Sequence, residues 1–128
     1  MRRLIRFEAP AAPASIRLAR LLATGVASAL DFTVDDLEDV AIAVDELCFA
    51  VIGPDPVEGT LRLSFEVEAG ELWVEGTAPD FGQPGTLSPF STQIVLATAR
   101  SSEVWRDQGH LRFRLRCAPR PSGGLRPV

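Results

Sequence analysis

The chain has 128 residues, 46% of them hydrophobic and 23% charged, which suits one globular domain with a normal core. A net charge of −4, with no basic stripe and interleaved aromatics, argues against a nucleic-acid binder. No apolar run reaches the length of a membrane span, and Cys48 and Cys117 lie far apart without CxxC spacing, so no membrane contact and a reduced, cytoplasmic setting are expected.

The opening MRRLIRFEAP makes a poor signal peptide because Arg6 and Glu8 interrupt its apolar stretch; residues 2–8 read instead as a strand ending at Ala9-Pro10. Over Ala14–Leu30 the apolar residues Ile16, Leu18, Ala19, Leu21, Leu22, Val26 and Leu30 predict an amphipathic helix, with Pro13 or Ser15 near its start and Arg17 and Arg20 on the wet face. Val34–Gly53 reads as a second helix. Thr33 is its cap, Asp36 stands at the third helical position, and Gly53-Pro54 is its stop.

Asp55–Gly59 is a loop, and Thr60–Glu68 alternates as a half-buried strand with Leu61, Leu63, Phe65 and Val67 inward. Ala69-Gly70 turns the chain into a partner strand, Glu71–Gly76. Ala78–Leu87, rich in Gly and Pro, reads as a loop, and Ser88–Arg100 as a helix capped by Ser88 with Pro89 in its first turn. Glu103–Arg106 and His110–Cys117 form a second hairpin, with Leu111, Phe113 and Leu115 inward and Arg112, Arg114 and Arg116 outward. His110, the only histidine, is a turn or strand residue in this reading. Residues 118–128, rich in Pro, Gly and Arg, read as a flexible tail on a domain of residues 1–117. The order β-α-α-β-β-α-β-β predicts an α+β, two-layer α/β sandwich with three helices on one face of the sheet.

The second helix holds the chemistry. At about 100° per residue, Leu37, Val40, Ala41, Val44, Leu47, Cys48 and Val51 form one stripe, the expected core face. Ile42, Ala43, Glu46, Phe49 and Ala50 fall largely opposite. Such a second, mostly apolar surface with one carboxylate in it suits a pocket or a partner protein, or else a solvated Glu46 with Phe49 covering a loop.

This order of elements and the stretch DDLEDVAIAVDEL resemble the small histidine-kinase-like ATPases with the Bergerat fold, and within them the anti-sigma-factor serine kinases of the partner-switching type, especially actinobacterial members. The resemblance covers roughly residues 2–117 and implies a mixed, mostly antiparallel sheet. In that family the helix carries E-x-x-x-N. The Glu acts as base or orients water, and the Asn oxygen helps hold magnesium on ATP. Glu46 matches the Glu, but Ala50 stands in the Asn position and offers no oxygen. The family's D-x-G-x-G motif, whose Asp grips the adenine amino group, is echoed by Asp80, Gly82 and Gly85. Counted along the strand, however, the Asp belongs nearer Ala78, and Gly85 comes one residue late. Where the family has a lid and a Gly-rich helix start, this chain has Thr86-Leu87-Ser88-Pro89-Phe90-Ser91. Pro89 lacks an N–H, and the loop holds no Lys or Arg clamp.

The resemblance therefore implies an anti-sigma-factor-like regulator that binds a sigma factor or an anti-sigma-factor antagonist through Ile42, Phe49, Phe81 and Phe90. Its ATP site would be degenerate, with no cofactor, and it would be a homodimer as relatives of this type often are. The alternative is an active serine kinase that phosphorylates the antagonist, using Mg-ATP with Glu46 as base and Asp80 as adenine anchor. The plainest reading is a stand-alone domain that keeps the fold in an unrelated role.

Overall fold

The computed structural model describes residues 3–121. The element order is β1 (Arg3–Pro10), α1 (Pro13–Ala27), α2 (Val34–Ile52), β2 (Thr60–Glu68), β3 (Glu71–Pro79), α3 (Pro89–Thr98), β4 (Ser101–Asp107) and β5 (His110–Cys117), as the sequence predicts. The strands form one sheet in the order β1-β2-β3-β5-β4, antiparallel at every described pairing. Both hairpins turn on two residues. Ala69 and Gly70 have φ of 52° and 75°, and Gln108 and Gly109 have 49° and 78°. Two successive positive φ values twist the turn in the sense that the flanking strands require.

The inner sheet face carries Leu61, Leu63, Phe65, Leu72, Val74, Leu111, Phe113 and Leu115, all buried. They meet Val40, Val44, Leu47, Cys48 and Val51 of α2 in one core. The outer face is a lattice of partly exposed ion pairs. Arg62 reaches Glu8 at 2.9 Å, Arg116 reaches Glu71 at 2.7 Å and Arg114 reaches Glu75 at 3.3 Å. Arg116 also lies over the Trp73 ring, 5.2 Å from its centroid. Pairs as exposed as Arg62–Glu8 and Arg114–Glu75 contribute little each, so they keep this face wet more than they stabilise it.

Three expectations need correction. In α1 the buried residues are Ser15, Ala19, Ala23 and Ala27, four apart, while Leu18 and Leu21 are more than half exposed. A seam of small residues lets α1 press closely on α2, and the larger Ile16, Leu22 and Val26 pack along its margins. In α2, Ala43 and Ala50 are buried, not outward. The helix is flanked by α1 on one side and α3 on the other as well as by the sheet, so its buried arc is wider than one stripe.

The third correction concerns β3, which continues through Ala78 and Pro79, where a loop is expected; its pairing with β5 runs on to Pro79 opposite His110. Residues 122–128 lie outside the described residues, but the tail's beginning is docked. The Arg120 N–H donates to Asp36 Oδ1 at 3.1 Å, and Arg120 Nη2 donates to Asp39 Oδ2 at 2.7 Å.

Candidate functional site

The cap of α2 forms as its residue types dictate. The Asp36 N–H donates to Thr33 Oγ1 at 3.1 Å, and the Thr33 N–H donates to Asp36 Oδ2 at 2.8 Å, a reciprocal capping box. Burial alone would raise the Asp36 carboxyl. The hydrogen bonds from Thr33 and Arg120 outweigh it and hold the group below the usual carboxylate range.

Three turns further on, Asp45 and Glu46 are half-buried. Asp45 Oδ2 accepts from Arg20 Nη1 at 2.8 Å, which ties α1 to α2, while its Oδ1 is buried without a hydrogen-bond partner. Glu46 lines a shallow cleft with Pro13, Ile16, Arg17, Arg20, Asp45 and Phe49. That lining comes from α1 and α2 and includes no residue of the 80–85 loop. Ala50, one turn beyond Glu46, is only 6% exposed. A buried methyl therefore stands where the resemblance implies a metal-holding oxygen. Cys48 and Cys117 are both buried thiols. Burial, with Asp45 nearby, raises Cys48 strongly; burial, with Asp39 nearby, pushes Cys117 up to about 12, so neither is a ready nucleophile.

The 80–85 loop is folded onto itself. Asp80 Oδ1 accepts from the Gly82 N–H at 3.0 Å, and Asp80 Oδ2 accepts from Arg106 Nε at 2.9 Å. The Gly82 amide first, and Arg106 after it, keep this carboxyl below its ordinary value against a smaller desolvation. Arg106, from β4, also donates to the carbonyls of Gln83 and Pro84. Gln83 is buried, and its amide works in both senses. Its Nε2 donates to the carbonyls of Val51 (2.9 Å) and Pro79 (2.8 Å), and its Oε1 accepts from the Phe81 N–H at 2.6 Å. Gly85, at φ +65°, sits so close to β4 and β5 that a Cβ would lie 2.6 Å from Leu111 and 3.2 Å from Arg106. Gly82 faces open space.

Gln83→Leu leaves two carbonyls and one N–H without their partner. It is expected to lower stability by about 1–2 kcal/mol in urea denaturation, in the range found for buried polar groups left unmade. An unchanged midpoint would show that the amide anchors nothing.

The structure thus separates the expected site residues into groups. Glu46 stands with Phe49 in the α1/α2 cleft. Asp80, Gly82 and Gly85 stand in the self-bonded loop. Ile42 and Phe49, two turns apart on α2, share a helix face and are 42% and 49% exposed; Phe81 and Phe90 are 65% and 75% exposed, on the loop and in the first turn of α3. Neither of the last two lines the Glu46 cleft. Sequence reasoning missed Gln83, Arg106, Arg20 and the exposed Leu96 of α3. A glutamine amid Gly and Pro was a usable signal for Gln83. Nothing in the sequence marked Arg106, whose partners lie more than 20 residues away.

A five-stranded antiparallel sheet with helices on one face, and an acidic central helix among them, is the two-layer α/β sandwich of the histidine-kinase-like ATPases. No family model matches the chain. It is 39% identical over 91 residues to the serine-protein kinase RsbW of Halalkalibacterium halodurans, across 70% of this chain and 55% of that one. It is 35% identical over 86 residues to the RsbW of Bacillus velezensis, across 62% and 54%, and 31% identical over 99 residues to that of Bacillus pumilus, across 70% and 61%. The chain is a relative of the RsbW serine-protein kinases and spans little more than half the length of these curated relatives. No helix among the described residues is long and apolar enough to cross a membrane.

Proposed function

We propose that this protein is an anti-sigma-factor-like regulator that works by binding other proteins and does not use Mg-ATP productively. The observation that carries this reading is Ala50: one helical turn from Glu46, where the resemblance calls for an oxygen on magnesium, there is a buried methyl group. A hard divalent cation has no ligand there, and Asp80, the other expected anchor, already accepts two hydrogen bonds. In this reading Glu46 is a relic or a contact residue and Mg-ATP is not a cofactor. The working unit is the domain of residues 1–117 with the docked start of its tail, in a cytoplasmic homodimer. Its partners are a sigma factor or an anti-sigma-factor antagonist, met through Ile42, Phe49, Phe81 and Phe90, which are exposed apolar side chains of the kind that partner proteins cover.

A second reading is an active serine kinase acting on the antagonist. The name of the relatives and the retained Glu46 favour it. Calorimetric titration with Mg-ATP separates the two. No specific heat is expected at millimolar nucleotide, whereas micromolar affinity would sink the binding-only reading and make Glu46 the base to test.

A further inference from the structure

We infer that Arg106 is a built-in latch that closes the 80–85 loop and takes the acceptors an adenine amino group would otherwise find at Asp80. The inference rests on the reading of Asp80 as the remnant of an adenine anchor. It adds a cause: the site is closed by a residue of this chain as well as depleted of ligands.

The geometry is specific. A guanidinium offers five N–H donors in a planar fork. Arg106 directs that fork at three acceptors within five residues of chain: Asp80 Oδ2 and the carbonyls of Gln83 and Pro84. The second Asp80 oxygen is held by the Gly82 N–H, so both carboxylate oxygens have a donor. Gly85 lies against the Arg106 guanidinium, 3.2 Å from where its Cβ would stand, so the end of the loop is packed down on the latch. On the far side Gln83 fastens the same loop to the Val51 carbonyl at the end of α2. The loop is therefore pinned at two points, one on the helix layer and one on the sheet. Of the two, only the sheet-side pin meets Asp80.

This pin can be opened. The Arg106 side chain is 46% exposed and Asp80 20% exposed, so water reaches the pair, and an ion pair in water is readily exchanged for another donor. A lysine at 106 keeps the charge but loses the fork; a glutamine keeps polarity but loses both the charge and the reach.

The test compares the wild-type chain with Arg106→Gln and Arg106→Lys, each first checked by thermal melting. Amide exchange at Phe81 and Gly82, whose N–H groups are bonded inside the loop, is expected to rise at least about tenfold in Arg106→Gln and less in Arg106→Lys, because a bond freed from its clamp opens locally. Exchange at Leu72 and Val74 of β3 should stay at the wild-type rate. Loop exchange within about twofold of wild type in both variants would overturn the latch, since local opening would then not depend on Arg106. Adenosine titrated into the labelled proteins is expected to move the Gly82 resonance saturably in Arg106→Gln and not in wild type. An equal response in the two, whether present or absent, overturns the claim that Arg106 occupies an adenine acceptor. Should Arg106→Gln fail to fold, the exchange comparison on Arg106→Lys decides. Binding of Mg-ATP to the wild-type chain would defeat the proposed function, while the loop-exchange comparison would still decide the clamp by itself.

Discussion

Phe113→Ala is expected to lower the free energy of unfolding by about 3–5 kcal/mol, the usual cost of emptying a buried aromatic site. Phe113 is fully buried on β5 and stands opposite Gly76 of β3 in the strand register. The ring lies across that glycine: a Cβ on residue 76 would come within 2.2 Å of Phe113 Cε2 and 2.7 Å of Leu63 Cδ2. A glycine inside a central strand marks such a close approach. Gly76→Ala should therefore overpack the core and cost about 1–3 kcal/mol. In the double variant the new methyl enters the space the ring has left. The two losses should then fall short of their sum by about 1 kcal/mol, although Leu63 still crowds the site. Urea denaturation of the four proteins measures this. Additivity within about 0.5 kcal/mol would mean that ring and glycine do not share the space.

Asp36→Ala is expected to cost about 2–3 kcal/mol at neutral pH. About 1 kcal/mol is the capping-box hydrogen bond from the Thr33 N–H, and a similar or larger amount comes from the Arg120 N–H, which would lose a charged acceptor. The pH dependence follows from the direction of the shift. Because the folded carboxyl titrates below its ordinary value, its contribution is complete above the unfolded pKa of about 3.9 and fades as the pH falls through the lower folded value. The gap between wild type and Asp36→Ala should thus be constant from about pH 5 upward and narrow below about pH 4. A gap that stays the same down to pH 2 would show that Asp36 acts by its shape and not its charge.

The parts of the molecule that were legible in the sequence are those held by near neighbours. The alternation of Leu61, Leu63 and Phe65 fixed a strand face. Thr33 and Asp36 wrote the start of α2, and Ala69-Gly70 wrote a hairpin; each signal is contained within a few residues. What remained hidden depends on how elements meet. Periodicity assigned α2 one buried stripe and placed Ala43 and Ala50 outside it, because a single helix cannot show that α1 and α3 will cover its flanks. Leu18 and Leu21 read as core by hydrophobicity, yet Ala19, Ala23 and Ala27 make the closer seam, and side-chain size decided the matter.

At the candidate site, Glu46, Ala50 and the Asp80-x-Gly82 spacing were readable, because a motif is a local pattern. The use to which Asp80 is put was not. Its partner Arg106 arrives from another strand, and Gln83, which joins the loop to the end of α2, bonds a carbonyl 32 residues earlier in the chain.

That joint and the one at the opposite end of α2 act together. Arg120 holds the helix at its start and Gln83 at its finish. A rod fixed at both ends behaves as a strut and not as a piston. Sliding it by one turn, about 5.4 Å, would have to break both fastenings in the same event. Ile42 and Phe49 therefore belong to a face whose position is set in advance, one that a binding partner would meet with little ordering left to be done.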